Sequence, residues 1–148
     1  FGKITLFFAA GAIYTAAKKT ELHQLRGIAR RMPWTMAAFT IGALSMIGVP
    51  PTAGFVSKWY ILAGAFEADN YVAIAAIIAS TALNAAYFLP IVFIAWFLKE
   101  DTPPVKDHGE APFAAVLALT ITALLTLAFF FLNGPVLTLE RQLVQAVL

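Results

Sequence analysis

The chain has 148 residues, of which 61% are hydrophobic and 12% are charged, and its formal net charge is +2 at pH 7. Soluble proteins carry about 25% charged residues, so this composition excludes an ordinary soluble domain and predicts an integral membrane protein in contact with the lipid bilayer. The lysines and arginines flank apolar segments, which is typical of membrane topology and gives no reason to expect nucleic-acid binding.

Residues 1–17 predict the first membrane-spanning helix, since about 20 apolar residues are needed to cross the hydrocarbon core. The chain opens inside this apolar run at Phe1, so we expect it to be a fragment of a longer protein. The basic connector 18–33 follows. Its apolar residues recur at three- to four-residue spacing, which predicts a short helix on the membrane surface; they are Leu22, Leu25, Ile28 and Met32.

The segment 34–66 allows two interpretations. Two separate spans, 34–49 and 53–66, would each have about 14 to 16 residues, fewer than the roughly 17 that a crossing needs. One continuous helix would be about 50 Å long at about 1.5 Å per residue, too long for a core of about 30 Å. We therefore predict one crossing made of two half-helices, because proline removes a backbone donor and glycine frees the local conformation. The predicted break contains Gly48, Pro50, Pro51 and Gly54.

The distribution of basic residues favours the broken crossing. With one crossing, the loops 18–33 and 99–111 share a side that holds seven lysines and arginines, against Arg141 alone on the other. With two crossings the division becomes six against two. The positive-inside rule then predicts that loop 18–33 is cytoplasmic.

Two further spans complete the predicted helix bundle of residues 1–132. Residues 71–98 carry Ser80, Thr81, Asn84 and Tyr87 at helical spacing, which predicts one polar face. Residues 112–132 are apolar apart from three threonines and read as a scaffold helix. Residues 133–148 predict an amphipathic C-terminal tail. The fold class is therefore an all-α polytopic bundle with about four spans, one of them broken.

Lys58 is the most informative residue, because it is a charged side chain within the predicted broken span. A charge at the bilayer centre costs roughly 2.5 to 3.5 kcal/mol even on the mildest insertion scale, so such a lysine indicates function. Desolvation disfavours the charged form of an amine, which is the property that a proton relay needs. Lys3 is the other cation in an apolar segment. The alternative is that both lysines extend to an interface.

The residues exclude several other chemistries. Haem or redox-metal binding within the membrane needs histidine or thiolate ligands, and the predicted spans contain neither. Phosphate-binding loops of the GxxxxGK[ST] kind and catalytic triads are also missing. We therefore predict no cofactor, no metal and no catalytic site in this chain.

Three stretches carry a resemblance to a known family: residues 3–11 (KITLFFAAG), 25–33 (LRGIARRMP) and 42–58 (GALSMIGVPPTAGFVSK). They resemble the antiporter-like membrane subunits that Mrp-type sodium/proton antiporters share with the proton-pumping arm of respiratory complex I, NADH:quinone oxidoreductase. Residues 83–90 (LNAAYFLP) look closer to the D-type Mrp subunit.

The resemblance implies a fragment of a proton-translocating subunit of a multisubunit monovalent cation/proton antiporter in the inner cell membrane. In that family, the lysine matching Lys58 lies in a discontinuous helix and ends the relay, and the lysine matching Lys3 lies in the preceding helix. Ser57, Asn84 and Tyr87 are candidate polar neighbours. The implied partners are other membrane subunits, protons and Na⁺ or K⁺. The alternatives are a proton-pumping subunit of complex I and a structural packing module without transport.

Overall fold

The structure, a computed structural model, describes residues 1–18, 21–99, 109–134 and 138. Every regular element in these residues is helical, which confirms the all-α prediction. The five α-helices are α1 (Gly2–Ala17), α2 (Pro33–Ile47), α3 (Ala53–Glu67), α4 (Tyr71–Phe97) and α5 (Phe113–Phe131). The predicted loop residues 100–108 and most of the predicted tail, 135–137 and 139–148, lie outside the described residues.

Local sequence signals set the helix ends. Pro33 occupies the first turn of α2, where its missing N–H and fixed φ suit a helix start. Gly48 ends α2 in the left-handed conformation, with φ 88°. Asn70 caps α4 by accepting a hydrogen bond from the backbone N–H of Ala73 at 3.1 Å. The chain therefore turns where its proline, glycine and asparagine residues favour turning.

Among the described residues, two helices are long and apolar enough to cross a membrane: α4 with 27 residues and α5 with 19. At about 1.5 Å per residue they measure about 40 Å and about 28 Å, against a hydrocarbon core of about 30 Å. The apolar helices α1 and α2 are shorter, with 16 and 15 residues. By length and composition, α4 and α5 are therefore candidate membrane spans.

Helix α2 lies at the centre of the bundle and packs against α1, α4 and α5. Hydrogen bonds between side chains join α1 to α5 and α2 to α4. The hydroxyl oxygens of Thr5 on α1 and Thr122 on α5 are hydrogen-bonded at 2.9 Å. Trp96 on α4 donates its indole N–H to the hydroxyl of Thr40 on α2 at 3.1 Å. The described residues leave the outer face of α4 exposed, as expected of a helix that faces lipid or another subunit.

The connector between α1 and α2 differs from the predicted surface helix. It forms two short 3-10 turns, Leu22–Leu25 and Ile28–Arg30, separated by Gly27 in the left-handed conformation. Ile28 and Met32 are completely buried in the bundle core. The prediction of one amphipathic helix was therefore wrong: the segment forms two 3-10 turns, and two of its four spaced apolar residues, Ile28 and Met32, insert into the bundle core while Leu22 is exposed.

Candidate functional site

The site begins at the interruption between α2 and α3. Gly48 donates its N–H to the carbonyl of Leu44 at 2.8 Å, which closes the last turn of α2. The Pro50–Pro51 peptide bond is cis. Thr52, which is buried, adopts an extended conformation before α3 and donates its hydroxyl to the Val49 carbonyl at 2.7 Å. Residues 48–52 thus form an ordered, hydrogen-bonded interruption between two 15-residue helices.

Two glycines allow the helix ends at this interruption to approach closely. A Cβ atom on Gly54 would overlap the backbone carbonyl of Ser45, so the first turn of α3 lies against the last turn of α2. A Cβ atom on Gly48 would stand 2.8 Å from Cδ of Lys58. The Ser45 backbone occupies the space that a Cβ on Gly54 would need, and the Lys58 side-chain carbons occupy the space that a Cβ on Gly48 would need. The glycines therefore bring the Lys58 side chain over the end of α2.

The Lys58 side chain is half-buried, and three oxygen atoms surround its nitrogen. Nζ donates to the carbonyl of Ile47 at 2.8 Å, the carbonyl of Met46 at 3.0 Å and the hydroxyl of Thr81 at 3.0 Å. The two carbonyls belong to the end of α2, where helix geometry leaves acceptors without an intrahelical partner. An ammonium has three N–H donors, so this set of acceptors, which we call the Lys58 cage, satisfies all of them.

Helix macrodipole and charge reinforce each other at the Lys58 cage. The C-terminal end of a helix carries a partial negative charge, which favours a cation there. The helices that pack against α3 are α2, α4 and α5. None of the three carries a carboxylate or a basic side chain. Within the described residues, Lys58 is therefore held by neutral dipoles, and the helices that pack against α3 offer it no carboxylate.

The other predicted site residues lie at different distances from the Lys58 cage. Ser57 is exposed and donates its hydroxyl to the Ala53 carbonyl at 3.3 Å. Tyr87 is exposed and packs edge-on against Phe88, with ring centroids 5.0 Å apart. Asn84 is half-buried on α4, one turn beyond Thr81. The hydrogen-bond partner that α4 supplies to Lys58 is Thr81, which the sequence places on the polar face of this span without indicating a contact with the lysine.

Lys3, on α1, lines a cavity of about 800 Å³. Ser45, Met46, Ser57 and Tyr60 also line this cavity, together with the start of α1 and the end of α5. Met46 belongs to both the cavity and the Lys58 cage: it lines the cavity, and its backbone carbonyl accepts a hydrogen bond from Lys58 Nζ. The hydrogen bonds of Lys58 do not include Lys3, and Met46 is the residue that links the Lys58 cage to the cavity lined by Lys3.

The opposite end of α2 is completed by a residue that sequence reasoning did not single out. Glu110 accepts a hydrogen bond from the Trp34 backbone N–H through Oε1 and from the Thr35 hydroxyl through Oε2, both at 2.7 Å. Thr35 is completely buried. A carboxylate is favoured at a helix N-terminus by both the free N–H groups and the macrodipole. Pro33 is a local signal for the start of α2, but nothing local signals a cap from 75 residues away.

Within residues 1–18, 21–99 and 109–134, no group of three or more His, Asp or Glu side chains is arranged to hold a metal ion.

Comparison with known families decides the broad assignment. The family described as NADH:quinone oxidoreductase/Mrp antiporter, TM, matches residues 1–84. The chain belongs to this family. The match covers α1, the whole interruption, Lys58 and the Thr81 contact, and it confirms the resemblance that residues 3–11 and 42–58 indicated.

Relatives from both branches of the family are similar to this chain. NADH-quinone oxidoreductase subunit N of Desulforudis audaxviator is 45% identical over 107 residues, which are 72% of this chain and 21% of that protein. The D-type subunit of the Na(+)/H(+) antiporter of Alkalihalophilus pseudofirmus is 28% identical over 146 residues, 99% of this chain and 29% of that protein. The chain thus spans between a fifth and a third of the length of these relatives.

Solved structures show the same fold. The Mrp complex from Dietzia sp. matches with a TM-score of 0.76 and 24% identity, over 92% of this chain and 33% of that one. Respiratory complex I from Thermus thermophilus matches with a TM-score of 0.75 and 26% identity, over 93% and 32%. Solved structures of both an Mrp complex and a respiratory complex I therefore share the fold of this chain. The prediction that residues 83–90 place the chain nearer the D-type Mrp proteins stays a prediction.

Proposed function

We propose that this chain is part of a proton-translocating membrane subunit in which Lys58 carries the proton. The observation that supports this role is the Lys58 cage: an amine on an apolar helix, hydrogen-bonded by two helix-terminal carbonyls and a hydroxyl. A carboxylate partner would fix the positive charge, whereas neutral dipoles leave the amine able to lose its proton. Non-helical backbone at membrane depth also occurs where it lines a hydrated cavity.

The proposal includes a single broken crossing formed by α2 and α3. Each has 15 residues, or about 22 Å, too short for a core of about 30 Å. Their close contacts join Ser45 and Gly48, at the end of α2, to Gly54 and Lys58, at the start of α3. With this topology the basic loop 18–33 faces the cytoplasm, and residues 1–132 form one partial translocation domain in the inner membrane.

Lys3 would act as the upstream relay through the cavity that it lines with Ser57. A cavity of about 800 Å³ is large enough for several water molecules, and bridging waters would connect Lys3 to the Met46 carbonyl beside Lys58. Asn84 and Tyr87 continue the polar face of α4 beyond Thr81 and would carry the proton onward. Protons would then move along the membrane plane before Lys58 exchanges with the outer side.

Two assemblies are candidates for the host complex. The first is an Mrp-type antiporter, in which other membrane subunits accompany this one and Na⁺ or K⁺ is exchanged for protons. The second is NADH:quinone oxidoreductase, favoured by the 45% identity to a subunit N. Purification of the native complex separates them: flavin and iron-sulfur subunits would indicate the oxidoreductase, and small membrane subunits alone would indicate the antiporter.

The test of Lys58 is its replacement by alanine in the full-length subunit within the intact complex, with proton flux measured in reconstituted vesicles. We expect coupled flux to be abolished while the complex still assembles. Lys18→Ala is the matched control, because Lys18 is an exposed lysine at the end of α1. Unchanged proton flux in the Lys58→Ala complex would rule out the proposed role.

A further inference from the structure

The three acceptors of the Lys58 cage are not chemically equivalent. The Met46 and Ile47 carbonyls only accept hydrogen bonds, whereas the Thr81 hydroxyl both donates and accepts. The protonated amine has three N–H groups and uses all three acceptors. The neutral amine has two N–H groups and one lone pair, so it needs two acceptors and one donor.

Only a partner that can reverse its hydrogen bond satisfies both forms of the amine. If all three acceptors were carbonyls, loss of the proton would leave one carbonyl and the nitrogen lone pair without a protein partner in a half-buried site, which costs free energy. Rotation of the Thr81 hydroxyl removes this cost, because its O–H can then point at the lone pair.

Resting on the proposed function of Lys58, we propose that Thr81 is the positioning residue that holds this amine in both protonation states. It accepts from the ammonium and donates to the neutral amine, so Nζ stays between α2 and α4 throughout the cycle. Thr81 would thereby set how readily the site takes up and releases a proton. This role belongs to the hydroxyl group and not to the size of the side chain.

The charges near the Lys58 cage do not supply an alternative partner. Helices α2 and α5 contain no titratable side chain, and the two on α4, Tyr71 and Tyr87, are exposed. On α3 itself the other titratable residues are Tyr60 and Glu67, both exposed. Among the described residues, Thr81 is the one side chain within hydrogen-bond distance of Nζ.

The experiment compares Thr81→Val, which keeps the shape and removes the hydroxyl, with Thr81→Ser, which keeps the hydroxyl. Proton flux of the intact complex in vesicles is measured as a function of pH. Thr81→Val removes a hydrogen bond to the ammonium and a weaker one to the neutral amine, so the net loss of apparent proton affinity is the difference between the two, about threefold to tenfold. The pH of half-maximal flux should fall by about 0.5 to 1 unit.

Thr81→Ser should keep the pH of half-maximal flux within about 0.3 units of the parent, because the reversible hydrogen bond remains. Thr120→Val is the matched control. Thr120 lies on α5 and donates only to the carbonyl one turn earlier, that of Val116, at 2.7 Å. This variant should leave the pH profile unchanged.

Three outcomes are decisive. An unchanged pH profile for Thr81→Val, in a complex whose flux is abolished by Lys58→Ala, would overturn the role of Thr81 and leave Lys58 as the carrier. A profile shifted as far by Thr81→Ser as by Thr81→Val would also overturn it. Unchanged flux after Lys58→Ala would instead overturn the proposed function itself. Should Thr81→Val not assemble, Thr81→Ala takes its place with the same expected shift.

Discussion

The two ends of helix α2 are completed in opposite ways. At its start, the Glu110 carboxylate accepts from the Trp34 N–H and the Thr35 hydroxyl at 2.7 Å. At its end, the Lys58 ammonium donates to the Met46 and Ile47 carbonyls. Each charge has the sign that the macrodipole favours at that end. Both groups come from outside the helix, so a 15-residue helix has terminal groups paired at each end by a charged side chain.

The difference between the two ends lies in what the proposed proton cycle asks of them. Glu110 accepts from a backbone N–H and a hydroxyl, and the proposed cycle leaves this pairing unchanged, so this end acts as an anchor. Lys58 is paired with neutral acceptors and is proposed to gain and lose a proton, with Thr81 reversing its hydrogen bond. If both roles hold, a protonation step at one end of α2 leaves the position of the other end unchanged.

Gly54→Ala should have the largest effect on this arrangement. The added Cβ would overlap the Ser45 carbonyl, which is backbone and cannot give way cheaply, and overpacking of this kind costs about 3 kcal/mol or more. We expect loss of assembled complex on native gels. Gly64→Ala is the control in the same helix, since no atom lies within 4 Å of its added Cβ. Equal assembly of the two variants would contradict the close approach of α2 and α3.

Glu110→Ala should destabilise the protein by about 2 kcal/mol, because it leaves the Trp34 N–H and the buried Thr35 hydroxyl without their charged acceptor. Glu110→Gln should cost less, since one amide oxygen still accepts. Thermal unfolding of the purified full-length subunit measures the change. Glu67→Ala, at the exposed end of α3, is the control. A midpoint for Glu110→Ala equal to that of Glu67→Ala would disprove the anchor.

Trp96→Phe tests the middle of α2 and should cost about 1 kcal/mol, the typical value of one neutral hydrogen bond. The variant removes the indole N–H that donates to the Thr40 hydroxyl while keeping an aromatic ring. Trp59→Phe is the control, because Trp59 is exposed and stacks on Phe55. The same unfolding assay applies, and a larger loss for Trp59→Phe would argue against the α2–α4 contact.

The double variant Glu110→Gln/Lys58→Met should show the smallest effect, a coupling energy below about 0.5 kcal/mol. The two ends are about 22 Å apart along a 15-residue helix, and distant sites without shared partners behave additively. A double-mutant cycle on unfolding free energy measures this. Coupling above about 1 kcal/mol would mean that α2 transmits strain from one end to the other.

The helical spans follow from the sequence to within one or two residues, because apolar length and proline or glycine boundaries are local signals. Three predicted segments match helices of the structure: 1–17 matches Gly2–Ala17, 71–98 matches Tyr71–Phe97, and 112–132 matches Phe113–Phe131. The interruption at 48–52 was visible for the same reason. Whether α2 and α3 form one crossing is a question of depth in the bilayer, and it stays a prediction.

The prediction of a surface helix for residues 18–33 was wrong because amphipathic spacing does not show what the apolar face packs against. Ile28 and Met32 insert into the bundle, and the Gly27 N–H donates to the Ile94 carbonyl at the end of α4. Thr81 and Glu110 were missed as partners for a related reason. Their contacts join residues 23 and 75 positions apart, and no pattern along the chain encodes such pairs.

The Thr5–Thr122 pair limits how α1 can slide along α5. Its two hydroxyls meet at 2.9 Å, so an axial slip of one helical turn, about 5.4 Å, would break this hydrogen bond and leave the hydroxyls with the backbone carbonyls of Phe1 and Leu119 alone. The pair therefore favours one register of α1 against α5. If Lys58 acts as proposed, movement during the proton cycle is expected in α3 and α4, the helices that carry Lys58 and Thr81.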